Sequence, residues 1–362
     1  VRVHIVDPSA YTPPYDHALC AALAAAGADV ALYTSRFAYG PLPPPAGYAR
    51  HELFYRASAG LPPRLRRAGK LLEHVPDMLR YRRAAPAADV VHFQWLPVQQ
   101  LDGRLLPRGM PLVLTAHDIL PRESGAARRR AQRRLYDRFD AVVVHSEHGR
   151  RRLTDELGVA RERVHVIPHG VLAHLAADGP AGGAPFHSEL PVVLFFGLLR
   201  PYKGLDLLLE AWEGIEGAEL WIVGLPRMDI APIRARAGAG VRFLPRFVSD
   251  AELAGCFARA DLVVLPYRQA DQSGVLFTAL AFGKPLLLSD VGGFPELAAE
   301  TGAAATFPAG DAAALARSLR ELLGDRTRLA VMAERARAAS AGRHSWPAVA
   351  GETLALYERL VA

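Results

Sequence analysis

The sequence predicts an α/β protein built from two doubly wound parallel sheets. Three observations carry this: short apolar runs alternate with longer helical stretches, the alternation stops once in a Gly- and Pro-rich segment, and it then restarts in the same style. Repeated strand, helix, parallel strand units close in right-handed crossovers and leave helices on both faces of a sheet. A chain of 362 residues also exceeds what one hydrophobic core usually holds, which favours two domains.

In the first half the strand candidates are VHIV (3–6), VALYT (30–34), VVHFQWL (90–96), LVLTA (112–116), AVVVHS (141–146) and VHVIP (164–168). Such short aliphatic runs suit strands covered on both faces. DHALCAALAAAG (16–27) and ARRRAQRRLYDRF (127–139) read as helices between them. Residues 173–187, AHLAADGPAGGAPFH, have no period and read as a linker. The second half offers VVLFFG (192–197), LWIVG (220–224), VRFLP (241–245), LVVLP (262–266) and PLLLSD (285–290). The expected domains are therefore 1–180 and 188–344, two Rossmann-like halves that leave a cleft at the carboxyl ends of their strands.

The formal charge of +6 comes from arginine, because lysine occurs only at Lys70, Lys203 and Lys284. PPRLRRAGK (62–70), MLRYRRA (78–84) and ARRRAQRRLYDR (127–138) concentrate that charge in the first half. They read either as solvated faces or as a surface for anionic lipid or an acidic acceptor. No apolar run approaches bilayer length, and VRVHIVDPSAY at the start reads as a strand and loop. Only Cys20 and Cys256 occur, so a disulfide framework or metal cluster is not expected and a reducing cytoplasm fits, with peripheral contact at the inner face of the membrane as a further expectation.

Two stretches carry chemistry. In LFFGLLRPYKGLDLLLEAW (194–212) a strand ends at Gly197 and a helix starts near Gly204, with Arg200 and Lys203 between them. Cations so placed either decorate a surface loop or reach the oxygens of a diphosphate. In DQSGVLFTALAFGKPLLLSDVGGFPEL (271–297) Ser273 and Gly274 open a helix. That motif is either a plain N-cap or an anion site, where free amides and the helix dipole meet a phosphate. Other chemistries fail: the chain has no Asp-x-Asp pair, no His-Glu-x-x-His, no Gly-x-Ser-x-Gly and no phosphate-binding Gly-x-x-x-x-Gly-Lys loop. The loop after the first strand, PSAYTPP, lacks the glycines of a dinucleotide site.

These residues resemble family 4 of the retaining, nucleotide-sugar-dependent glycosyltransferases, which have the GT-B fold. The match runs through FGLLRPYKGLDLLLEAW, IVGLP (222–226), FLPRFVSDAELAGCFARADLVVLPY (243–267) and QSGVLFTALAFGKPLLLSDVGGFPEL (272–297). It continues more weakly through VVHFQWLP (90–97), LVLTAHDILPRE (112–123), VVVHSEHGRRRL (142–153) and VIPHGV (166–171). The tail SWPAVAGETLALYERL (345–360) looks like the family's last helix, so residues 345–362 are expected to cross back to the first domain.

The resemblance implies that Arg200 and Lys203 pair with the donor diphosphate and that the amides of Ser273, Gly274 and Val275 hold a phosphate. It places Phe247 and Val248 near the base, Gly224 and Gly197 near the nucleotide, and Glu296 in the same donor group. Two glutamates common in the family fall at Ala270 and Thr278 here, so Thr278 is expected at the ribose and Asp271 or Gln272 at the sugar. A common arginine is replaced at Leu198. His117, beside Asp118, is expected near the transferring bond, where an imidazole orients a hydroxyl or steadies charge. Tyr15, Asp16 and His17 read as an acceptor wall, or Asp16 as a helix cap. His92 and Trp95 read as core or cleft lining.

The expected reaction is metal-independent sugar transfer from a nucleotide-diphosphate sugar, with retention, to a glycan, a lipid-linked acceptor or a small-molecule glycoside. No cofactor and no nucleic acid partner is expected. A nucleotide-sugar epimerase on the same architecture and a basic binding protein without turnover are the competing readings.

Overall fold

A computed structural model describes all residues except 38, 39, 41, 120–125, 173–175 and 177–182. Most of the linker segment and the end of LVLTAHDILPRE therefore lie outside the described residues. The chain packs as two compact units, one of residues 1–170 with 346–362, the other of 171–345.

The first unit holds seven parallel strands: β1 (Arg2–Asp7), β2 (Asp29–Ser35), β3 (Ala49–Phe54), β4 (Val90–Phe93), β5 (Leu112–Thr115), β6 (Ala141–Val144) and β7 (Val164–Val166). They lie in the order β3-β2-β1-β4-β5-β6-β7. The second unit holds β8 (Val192–Phe196), β9 (Glu219–Val223), β10 (Val241–Leu244), β11 (Leu262–Leu265), β12 (Leu286–Ser289) and β13 (Ala304–Phe307), ordered β10-β9-β8-β11-β12-β13. This is the doubly wound α/β class. Its central strands are buried almost throughout, as in Val192–Phe196 and Leu262–Leu265, which is why aliphatic runs mark them.

Two strands had no aliphatic run to announce them. β3, ARHELF, edges the first sheet with exposed His51 and Glu52, and β13, AATF, edges the second with small residues. Edge strands carry polar or small side chains because one rim faces away from the ladder.

Helix α1 (Pro13–Ala25) starts three residues before the expected point, with Pro at its first turn, where the missing N–H costs nothing. Helix α2 (Pro63–Ala84) gathers the first two basic clusters onto one element. The C-terminal helix Trp346–Val361 belongs to the first unit, where Val349, Ala350, Leu356 and Tyr357 share a core with Leu19, Cys20 and Leu23 of α1. Both cysteines are buried and free. Among the described residues no helix is long and apolar enough to cross a membrane.

Candidate active site

In the second sheet the strand order reverses at β8, which lies between β9 and β11. The carboxyl ends of strands beside such a reversal are the usual ligand position of these sheets, and the loops that leave β8 and β11 lie there. The β8 loop carries Gly197, Arg200 and Lys203 and ends at Gly204, with φ 68°. A Cβ on Gly204 would lie 2.1 Å from the Pro266 carbonyl oxygen, so the two loops meet backbone to backbone. Arg268 fastens them: its N–H donates to the Tyr202 carbonyl at 2.7 Å, and its guanidinium makes two 2.7 Å bonds to Asp206.

Lys203 sits at the centre of this group and is only 6% exposed. Its Nζ lies 4.9 Å from the centroid of the Tyr267 ring, and a Cβ on Gly197 would come within 2.9 Å of it. Among the described residues it has no carboxylate partner and no hydrogen-bond acceptor. Burial lowers its pKa from 10.5 to about 8, with the Arg200 charge adding to the shift and Tyr202 opposing it. A buried ammonium in this state gains from any anion that reaches it.

The 271–275 stretch borders the same ammonium. Ser273 precedes the helix Gly274–Ala281 but makes no side-chain cap, and its Oγ lies 3.3 Å from the Tyr267 hydroxyl. The first-turn amides are therefore left without a side-chain acceptor. Val275 touches the β8 loop, 3.2 Å from where a Gly197 Cβ would be. Gln272 Oε1 is buried and, among the described residues, without a partner. The Gly292-Gly293 turn packs on this stretch, with Gly293 N–H on Asp271 O at 3.3 Å, and leads into the helix Phe294–Thr301 with half-buried Glu296 in its first turn.

The first unit has its own group at the β1/β4 reversal. Asp7, at the end of β1, accepts N–H bonds from Ser9 at 3.2 Å, Tyr11 at 2.6 Å and Thr12 at 3.2 Å, and shares a hydrogen bond with Asp16. Burial pushes both carboxyl groups up. The Asp7 charge facing Asp16 adds to this rise, so the pair shares a proton. Asp16→Asn keeps a donor toward Asp7 and is expected to hold melting temperature at pH 7. Asp7→Asn replaces one of the two oxygens that accept these amides with a donor and should cost about 1–3 kcal/mol in denaturant unfolding. Equal losses in both variants would refute the shared proton.

His117, just after β5, stacks on Trp95 at 5.0 Å, meets the Tyr15 ring edge at 4.9 Å, and pairs through Nε2 with Gln94 Oε1 at 3.0 Å. Burial, then the neighbouring His145, His169 and His92, push its pKa well down, so it is a neutral imidazole. With Nε2–H donating to Gln94, Nδ1 keeps its lone pair.

Gly197, Arg200, Lys203, Gly224, Ser273, Gly274 and Val275 are thus assembled within one unit, Gly224 through a close approach to the Gly197 carbonyl. Several expectations change. Tyr15 and Asp16 are buried, Tyr15 among His117, His169 and Trp346, so neither forms an exposed wall, and Asp16 lies inside α1 rather than at its cap. His17 instead bonds Tyr48 at 2.9 Å, while Asp118 is exposed. The Thr278 hydroxyl donates to Gly274 O at 3.0 Å and is buried, which withdraws it from ribose recognition. Val248 belongs to the core and Phe247 is exposed beside it. His92 is core, one of its two expected places, bonded to Thr115 at 2.7 Å.

Tyr267, Gln94, His145 and His169 were not anticipated. Only Tyr267 carried a signal, its place directly after the strand-ending Pro266. Among the described residues no three His, Cys, Asp or Glu side chains are grouped to hold a metal ion.

Two parallel doubly wound sheets with a cationic loop at one reversal define the GT-B architecture. The solved Anabaena HepE structure, in complex with UDP, shares this fold with a TM-score of 0.74 at 18% identity, over 99% of this chain and 100% of that one. The model named Glycosyltransferase Family 4 matches residues 15–173, and Glycosyl transferases group 1 matches 190–325. The chain belongs to the family 4 glycosyltransferases. It is 31% identical over 280 residues to the D-inositol 3-phosphate glycosyltransferase of Nocardia farcinica, covering 68% of this chain and 61% of that one. It is 35% identical over 205 residues to the phosphatidyl-myo-inositol mannosyltransferase of Mycobacterium leprae, covering 53% of this chain and 52% of that one. The matches thus span half to three-fifths of these relatives' length.

Proposed function

We propose that this protein transfers a sugar from a nucleoside-diphosphate sugar to an acceptor hydroxyl, with retention of configuration and without a metal ion. The observation that carries the reading is Lys203, a buried ammonium with no anionic partner among the described residues, next to Arg200 and a helix start without a side-chain cap. These groups supply the charge that a divalent ion would otherwise bring to a diphosphate. A UDP-bound structure of the same fold supports a nucleotide in this role.

In this reading Lys203, Arg200 and the amides of Gly274 and Val275 take up negative charge as the glycosidic bond lengthens. Gln272, with its buried unpaired oxygen, accepts from a sugar hydroxyl, and Asp271 and Glu296 line the same turn. Exposed Phe247 borders the base. The acceptor enters on the face that the diphosphate leaves, and a diphosphate oxygen takes its proton. Neutral His117 presents Nδ1 as an acceptor for a hydroxyl of the acceptor. Relatives named for an inositol phosphate and a phosphatidyl-inositol support a polyhydroxylated or lipid-linked acceptor.

Calorimetry with UDP, GDP, ADP and TDP in EDTA tests the site. One nucleotide is expected to bind in the micromolar range, and Arg200→Ala with Lys203→Ala to abolish the heat while preserving the melting transition. Binding that survives the double variant, or that appears only with added Mg²⁺, removes this assignment.

A further inference from the structure

We propose that a groove at the amino ends of the second sheet binds a small phosphorylated metabolite. The groove, about 470 Å³, lies within the second unit. Pro191, Asp261 and Pro285 line it, and each stands directly before a strand: β8, β11 and β12, which are neighbours in the sheet. Lys203 and the 271–275 stretch lie at the carboxyl ends of that sheet, so this is a second site and does not rest on the donor assignment. One wall is the helix Arg326–Ala341, which turns Arg326, Ala330, Ala333 and Arg337 to the groove. Their spacing of four, three and four residues puts them on one helix face.

Charge decides what the groove takes. Arg259, Lys284, Arg326 and Arg337 line it, against two carboxylates among the described residues, Asp261 and Glu189. Asp261 is occupied by the Val192 N–H at 2.8 Å and by Arg259 at 2.9 Å. The Glu189 side chain is 90% exposed and lies 3.4 Å from His187. Arg326 and Arg337 have neither an ion pair nor a side-chain hydrogen bond among the described residues. Lys284 is half-buried and uses one of its three N–H groups, on Ala258 O at 2.8 Å. Burial lowers its pKa; Asp261 opposes this, while the charges of Arg259 and Arg337 add to it. Three cations therefore crowd one point, and an anion placed among them relieves their repulsion.

Two of these cations are held in place by the fold. Arg259 donates to Leu190 O at 2.5 Å and to Ser188 O at 3.1 Å. The Arg337 stem lies across Gly283, where a Cβ would come within 2.6 Å of its Cγ. Guanidinium groups fixed in this way suit phosphate oxygens, which they meet two at a time. Half-buried Phe282, Leu323 and Leu329 add apolar surface between the charges, which suits a carbon skeleton rather than a bare ion. Arg326 and Arg337 stand about 16 Å apart along the helix at 1.5 Å per residue. That length is short for a polyanion, and the volume is that of a small-molecule site.

Calorimetry with fructose 1,6-bisphosphate and with 3-phosphoglycerate, in EDTA, tests this on the full chain. At least one probe is expected to bind wild type and Lys203→Met alike, because the donor loop takes no part. Arg326→Gln with Arg337→Gln should weaken that binding at least about tenfold. Ala330→Trp should weaken it as much by filling the groove while every charge is kept. Both variants should keep the wild-type melting transition, since Arg326, Ala330 and Arg337 are exposed. No heat from either probe overturns the proposal, as does wild-type affinity in either variant. So does binding that Lys203→Met abolishes, which would place the probe at the donor loop.

Discussion

Lys203→Met is expected to weaken nucleoside diphosphate binding about a hundredfold or more and, at the same time, to stabilise the free protein. Both effects follow from one cause. The unfolded chain keeps the lysine proton up to about pH 10.5, and the folded chain only up to about 8. Below pH 8 the folded state therefore carries the whole cost of a desolvated ammonium. Between 8 and 10.5 folding releases a proton, so this group's contribution improves as pH rises. The shift corresponds to about 3 kcal/mol as an upper figure, and Met fills a similar volume without charge. A gain of about 1–3 kcal/mol in denaturant unfolding at pH 7 is expected.

Binding runs in the opposite sense. A diphosphate beside Lys203 restores the ordinary lysine pKa, so complex formation above pH 8 takes up a proton. Affinity should be flat near pH 7 and fall about tenfold per unit above 8 until the bound-state pKa is reached. Truncating one member of a buried, hydrogen-bonded charge pair costs about 2–5 kcal/mol, which is the source of the hundredfold figure. A Lys203→Met protein that is less stable than wild type at pH 7, or that binds nucleotide unchanged, would falsify the account of Lys203 as an ammonium held for an anion.

How much of this was legible in the sequence follows from what each feature depends on. Central strands were legible because burial on both faces demands aliphatic runs, as in Leu262–Leu265 and Leu286–Ser289. β3 and β13 were not, because an edge tolerates His51, Glu52 or Ala304 without a pattern. The Lys203 loop was legible because two glycines bracket two cations directly after a strand, a local arrangement. Tyr267 carried a signal in its place after Pro266, but its contact with Lys203 did not, since that joins residues far apart in the chain. Non-local pairing also hid the Asp7–Asp16 proton and the ring cluster around His117, which turned an expected acceptor wall into packed interior. The cationic groove draws on residues from Glu189 to Arg337, and only the fold brings them together.

Gly224→Ala is the second large effect, and it separates backbone packing from ligand chemistry. Gly224 has φ 143°, and a Cβ there would stand 1.9 Å from the Gly197 oxygen and 2.6 Å from its carbonyl carbon. No rotamer relieves that overlap, because the obstacle is backbone. The end of β8 is tied to the end of β9 by the Gly197 N–H on Val223 O at 3.0 Å, so the clash must open the ladder or displace the loop. The same loop holds Lys203, so nucleotide affinity should fall with stability, by about 3 kcal/mol or more in unfolding free energy. Gly274→Ala provides the contrast: its Cβ would meet nothing within 4 Å, and it opens a helix. That variant should keep or slightly raise stability, by up to about 1 kcal/mol, yet weaken nucleotide binding where a phosphate approaches the helix start. Circular dichroism melts and calorimetry on the two variants decide the matter. If Gly274→Ala binds as wild type does, the phosphate is held by Arg200 and Lys203 without the helix amides; if Gly224→Ala keeps both stability and affinity, the close approach of β8 and β9 does not shape the site.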